Sequence, residues 1–151
     1  MGQIVTLSIG LGLVISLLFS ELLGVAAGGM IVPGYVALHL DSPVTVIFTL
    51  AVSWLTWMTV KMISTVMIIY GRRRTVIMLL VGFLYGAFFR SIGYIETVSL
   101  MFDLSIIGYL IPGLIAIWIE KQGLIETFST LITSSVIVRL LLILITGGEN
   151  L

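Results

Sequence analysis

The chain carries one helix-breaking apolar stretch twice. Gly29-Met30-Ile31-Val32-Pro33-Gly34-Tyr35-Val36-Ala37-Leu38 returns, offset by 79 residues, as Gly108-Tyr109-Leu110-Ile111-Pro112-Gly113-Leu114-Ile115-Ala116-Ile117. Glycine, proline, glycine and alanine coincide, and nearly every other pair exchanges one apolar residue for another. Two of the chain's 3 prolines are used this way. Inside an apolar helix a proline removes a backbone hydrogen bond and clashes with the preceding turn, and the glycine after it loosens the backbone further. Lipid tolerates such a break only where protein or a wet cavity satisfies the freed groups. Matching breaks in two halves point to a membrane passage or binding site, set against plain kinked packing helices.

With 60% hydrophobic and 9% charged residues in 151, the chain reads as an all-α, polytopic helical membrane protein. The formal net charge is zero, which leaves no basic field for nucleic acid. Cysteine is absent, excluding disulfide and thiol chemistry. No Lys or Arg precedes the first apolar run, so a cleaved signal peptide is not expected and the first helix should remain.

A span needs about 20 apolar residues to cross about 30 Å of hydrocarbon. Residues 1–20 are uncharged and form the first. Ser8, Gly12, Ser16, Ser20, Gly24 and Gly28 recur every fourth position, a flat stripe on which another backbone can lie closely. After Glu21 comes Leu22 to Leu40 with its Pro33 break, then the turn Asp41-Ser42-Pro43. The third span runs from about Val44 to Ile69. Tyr70-Gly71-Arg72-Arg73-Arg74-Thr75 follows, a short arginine loop that should face the cytoplasm. The fourth span, about Thr75 to Phe89, bears a second small face, Gly82 and Gly86. Arg90, Glu96 and Asp103 mark a polar connection. The fifth segment, Leu104 to Ile119, holds Pro112; Glu120-Lys121-Gln122-Gly123 is a turn; the sixth helix runs from about Leu124 to Thr146.

This is one membrane domain with repeat halves of about 1–70 and 75–146, three helices each, with a Pro-Gly-broken middle helix in both. An odd number of spans per copy requires the second copy to be inverted. With the arginine loop inside, both termini lie outside; if the Pro-Gly segments re-enter, the termini move inside.

No catalytic constellation is present: no phosphate-binding glycine loop, no metal-ligand spacing, no nucleophile beside a base. His39 beside its turn reads as a packing histidine, and Trp54, Trp57, Tyr94 and Trp118 as belt or packing residues. Charges within apolar runs are more informative, because each is costly without a wet cavity or partner. Lys61 and Arg139 lie one position from equivalence under the repeat and could attract an anionic substrate from opposite depths of one pathway. Lys61 can equally snorkel to the headgroups; the planar guanidinium of Arg139 favours a fixed carboxylate or phosphate. Asp41 and Glu120 read as helix caps. Glu21 reads as a salt-bridge partner for a cation of the other half.

Ser20-Glu21 through Ile31-Val32-Pro33-Gly34-Tyr35, Tyr70-Gly71-Arg72-Arg73, Ile107-Gly108 to Ile111-Pro112-Gly113-Leu114-Ile115-Ala116, and Lys121-Gln122-Gly123-Leu124 together resemble the C subunit of bacterial poly-gamma-glutamate synthase, the CapC/PgsC family. The resemblance covers nearly the whole chain in order. It implies a multi-pass subunit of the bacterial cell membrane. Its partners would be a separate ATP-dependent ligase, the B subunit, and an extracellular A subunit that handles the polymer. ATP and a divalent metal are expected on the ligase and no cofactor on this chain, which would be a non-catalytic member of the complex. On that reading Pro33, Gly34, Pro112 and Gly113, with Lys61, Arg139 and Glu21, line the polymer's route, and Arg72, Arg73 and Arg74 face the ligase. The alternative is a small stand-alone transporter or channel for an anion, for which so short a chain would need a homo-oligomer.

Overall fold

A computed structural model describes residues 2–69, 71–92 and 110–147. Tyr70, Tyr94, Glu96, Asp103, Gly108 and Tyr109 lie outside the described residues. Every described element is α-helical: α1 (Gly2–Leu23), α2 (Val32–Leu38), α3 (Pro43–Val66), α4 (Arg72–Ile92), α5 (Ile111–Gln122) and α6 (Leu124–Thr146). Among the described residues α1, α3 and α6 are long and apolar enough to cross a membrane.

The small-residue stripe is the inner face of α1, whose buried residues are Ser8, Gly12 and Ser16. Its leucines and valines face outward: Val14, Leu17 and Leu18 are exposed. Such a helix associates through close backbone approach, since lipid tails solvate its apolar side chains as well as protein would.

Two sequence readings are corrected. First, the prolines do not interrupt longer helices; the helices begin at them. Pro33 and Pro112 stand in the first turns of α2 and α5, where the absent N–H would have lacked a partner anyway and the fixed φ already suits a helix. The break lies upstream, in the non-helical residues 24–31. There Gly28 and Gly29 have φ of +73° and +121°, angles that residues with a Cβ rarely adopt. Pro33→Ala should therefore leave the start of α2 in place and lower stability by less than about 1 kcal/mol. Thermal unfolding in detergent measures this, and a helix continuous through residues 24–31 in the variant would contradict it. Second, Arg72, Arg73 and Arg74 form the first turn of α4 and not a loop. Arginine is a good helix former, and Glu120 against Arg74 offsets the unfavourable placement of cations at a helix amino terminus.

The helices pair in a doubled pattern. α1 packs on α2 and α4 packs on α5; α6 packs on α1 and α2, and α3 packs on α4 and α5. Direction follows from the contacts. Ser8 meets Gly34 while Ser16 meets Gly29, so α1 runs against α2. Arg74 meets Glu120 while Gly82 meets Gly113, so α4 runs against α5. Phe48 meets Phe89 and Thr59 meets Tyr85, so α3 runs against α4. α2 touches α5 at the centre, where Val32, Val36, Ile111, Ile115, Ile119 and Leu131 form the main core.

Candidate functional site

The Pro-Gly helices are seated by two crossings of the same construction. An ideal Cβ on Gly12 would stand 2.6 Å from the Gly34 nitrogen, and one on Gly82 would stand 2.6 Å from the Gly113 nitrogen. In the reverse direction, a Cβ on Gly34 would lie 2.5 Å from the Ser8 carbonyl oxygen, and one on Gly113 would lie 2.9 Å from the Leu79 Cα. Backbone lies on backbone at both places. The Ser8 hydroxyl donates to the Gly34 carbonyl at 2.7 Å, adding a polar tie to the first crossing. Pro33, Gly34, Pro112 and Gly113 are all buried.

The non-helical segment before α2 is held by a residue that the sequence offered as part of a turn and of a family motif, with no role of its own. Gln122, at the end of α5, accepts from the Ala26 N–H at 3.0 Å through Oε1 and donates from Nε2 to the Ala26 carbonyl at 2.5 Å. The same Nε2 donates to Thr127 Oγ1 at 3.2 Å, and Thr130 reaches the Ala26 carbonyl at 3.4 Å. The N–H and C=O of one non-helical residue are thus both matched by a side-chain amide, which carries a donor and an acceptor. Trp118 covers Gly29.

Ion pairs close the two ends. Arg139 Nη2 donates to both oxygens of Asp41, at 2.6 and 2.7 Å, and its Nη1 donates to the Ala37 carbonyl at 3.3 Å. The other end joins α3, α4 and α5: Glu120 accepts from the Trp57 indole N–H at 2.6 Å and pairs with Arg74 Nη2 at 2.7 Å. Lys61 is exposed, its ammonium 4.6 Å from the Trp57 ring centroid. About 15 residues of α6 separate Arg139 from the start of that helix, roughly 22 Å.

Glu21 is exposed near the end of α1 and belongs to neither ion pair. Arg72 and Arg73 are exposed beside the half-buried Arg74. Lys61 also lines a cavity of about 940 Å³ that runs along α3 past Trp54, Met58, Met62 and Met67, away from the Pro-Gly crossings. Asp41 and Glu120 cap nothing; the helices that follow them have no side-chain cap bond. His39 packs as read, stacked on Tyr35 with Nδ1 at 3.0 Å from the Tyr35 carbonyl. No cluster of metal-ligating side chains occurs among the described residues.

A family profile described as capsule biosynthesis CapC matches residues 11–128. The chain belongs to the CapC family. One CapC relative, "PGA biosynthesis protein CapC" of Bacillus subtilis (strain 168), is 41% identical over 126 residues, 82% of this chain and 84% of the relative. Another, "Capsule biosynthesis protein CapC" of Bacillus anthracis, is 36% identical over 135 residues, 89% of this chain and 90% of its own. No solved structure matches. The stretch shared with the CapC profile includes Gly12, Gly34, Gly82 and Gly113 of the two crossings, Gln122 with Ala26, and the Trp57–Glu120–Arg74 end; Ser8, Thr130 and Arg139 lie beyond it.

Proposed function

We propose that this chain is the integral membrane subunit of a poly-gamma-glutamate synthase. It supports polymer synthesis by a partner ATP-dependent ligase and forms the route by which the polymer leaves. The family match over most of the chain carries this reading, and the name of the Bacillus subtilis relative supports the product class. It is a multi-pass protein of the bacterial cell membrane, built as two three-helix halves related by inversion. The doubled crossings and the matched helix pairing support that plan. Arg72 and Arg73 face the ligase at the cytoplasmic side, by the excess of arginine at that end, and the A subunit takes the polymer at the other. ATP and its divalent metal belong to the ligase.

The route runs between the two Pro-Gly crossings. Both are closed in the described arrangement, so the polymer passes only when the α2 and α5 regions part. Carboxylates then meet Arg139 at one end and Arg74 with Lys61 at the other.

Membrane vesicles containing the ligase, prepared with and without this chain and supplied with labelled glutamate and ATP, test the proposal. Polymer on the far side should fall to background without the chain. Undiminished transfer would overturn the reading. The doubled helix pattern also favours an autonomous transporter; flux of an anion into liposomes holding this protein alone would select that reading.

A further inference from the structure

Asp41 and Glu120 are separated by 79 residues, the offset that relates Pro33 to Pro112. Each stands 8 residues after its proline, Asp41 just past the end of α2 and Glu120 in the last turn of α5, and each is held by a helix from the other half of the chain: Asp41 by Arg139 of α6, Glu120 by Trp57 of α3. One carboxylate therefore stands at each end of the proposed route, at equivalent positions.

The partners differ from ordinary surface ion pairs in how burial is divided. The Arg139 side chain is 13% exposed, whereas the Asp41 side chain is 68% exposed on a turn. The guanidinium is fixed by the Ala37 carbonyl, and among the described residues the Asp41 carboxylate bonds to Arg139 alone. A largely buried cation demands an anion; here the anion is the solvent-exposed member of the pair. At the other end Arg74 gives Nη2 to Glu120, but its Nε is buried and has no hydrogen-bond partner. A guanidinium presents its donors as a fork that fits a carboxylate, and at Arg74 one side of that fork is unfilled. Lys61 adds a second cation at this end, over the ring of Trp57, from whose indole N–H Glu120 accepts.

We propose that Arg139 and Arg74 are carboxylate-binding subsites at the two ends of the route, and that Asp41 and Glu120 are internal carboxylates which a carboxylate-bearing polymer displaces. The inference rests on the export reading given above. Displacement exchanges one carboxylate for another at a fixed guanidinium, so the arginine keeps a counter-ion throughout, and the displaced acid, 68% exposed at Asp41 and 31% at Glu120, passes to water.

The test is binding of a fluorescent, short γ-linked glutamate oligomer to the purified full-length chain in nanodiscs, with the neutral γ-linked glutamine oligomer as the comparison. Asp41→Asn and Glu120→Gln should each bind the glutamate oligomer about threefold to fivefold more tightly, the scale of an exposed ion pair. Arg139→Gln added to Asp41→Asn, and Arg74→Gln added to Glu120→Gln, should abolish the gain. A gain in affinity cannot come from misfolding, so acids that serve only as structural pins would not produce it. If the unaltered chain binds the oligomer and neither acid variant binds more tightly, the inference is overturned and the export reading stands. Equal binding of the neutral oligomer also overturns it. Vesicles that export equally without this chain would remove the export reading itself and this inference with it.

Discussion

Gly34→Ala, Gly12→Ala, Gly82→Ala and Gly113→Ala should each lower the stability of the detergent-solubilised chain by about 2 kcal/mol or more, at the upper end of what overpacking costs. The added methyl group would meet backbone atoms at 2.5 to 2.9 Å in all four cases. Backbone cannot rotate away as a flexible side chain can, so the two helices must separate, and the contacts on either side of the crossing stretch with them. Gly10→Ala supplies the comparison on the same helix: nothing lies within 4 Å of that position. There alanine should be neutral or stabilising, by up to about 1 kcal/mol from helix propensity alone. Thermal unfolding of the five variants reads the result. Were Gly34→Ala as harmless as Gly10→Ala, the close crossing would not exist in solution.

Gln122→Leu should have the second largest effect. Leucine keeps much of the side chain's volume but offers neither donor nor acceptor, so the Ala26 N–H and C=O lose the partner that satisfies both. Each buried polar group left unpaired costs about 1–3 kcal/mol, and the Ala26 peptide is half-buried, which places the total near the lower part of that range. The loss should appear locally. Amide exchange at Ala26 and its neighbours should accelerate relative to α6, because residues 24–31 have few other bonds holding them. Gln122→Glu separates hydrogen bonding from shape: it keeps the acceptor for the Ala26 N–H but sets a carboxylate oxygen against the Ala26 carbonyl. Unchanged exchange in both variants would mean that the segment is held by packing alone.

The long apolar helices were legible in the sequence because runs of about 20 mostly apolar residues have few other uses, and α6 begins and ends where its composition indicates. The inner face of α1 was legible for a similar reason, since small residues at every fourth position make one stripe. Local signals failed at the middle helices. A Pro-Gly pair marks a break without saying on which side of it the helix lies, and the positive φ angles of Gly28 and Gly29 decide that only in the folded chain. Gln122 looked like turn polarity; its partner is 96 residues away. Arg139 announced a need for an anion, but not that Asp41 would supply it from 98 residues off. The equivalence of Asp41 and Glu120 was present in the numbering, hidden because each acid beside a helix start reads as a cap.

The sixth helix is the one that the first two require. α1 and α2 bury their shared surface against α6, and the Ala26 peptide finds its partners in Gln122, at the end of α5, and Thr130, within α6. During synthesis the amino-terminal pair therefore carries an unsatisfied peptide segment and an uncovered flank until α6, which begins at Leu124, has been made. Contacts so distant in sequence form slowly, so the early half is at its most vulnerable to degradation and mispairing before translation ends. A truncation that removes α6 should thus deprive the oldest part of the protein of its support, while leaving α3, α4 and α5, which already have one another, the least affected.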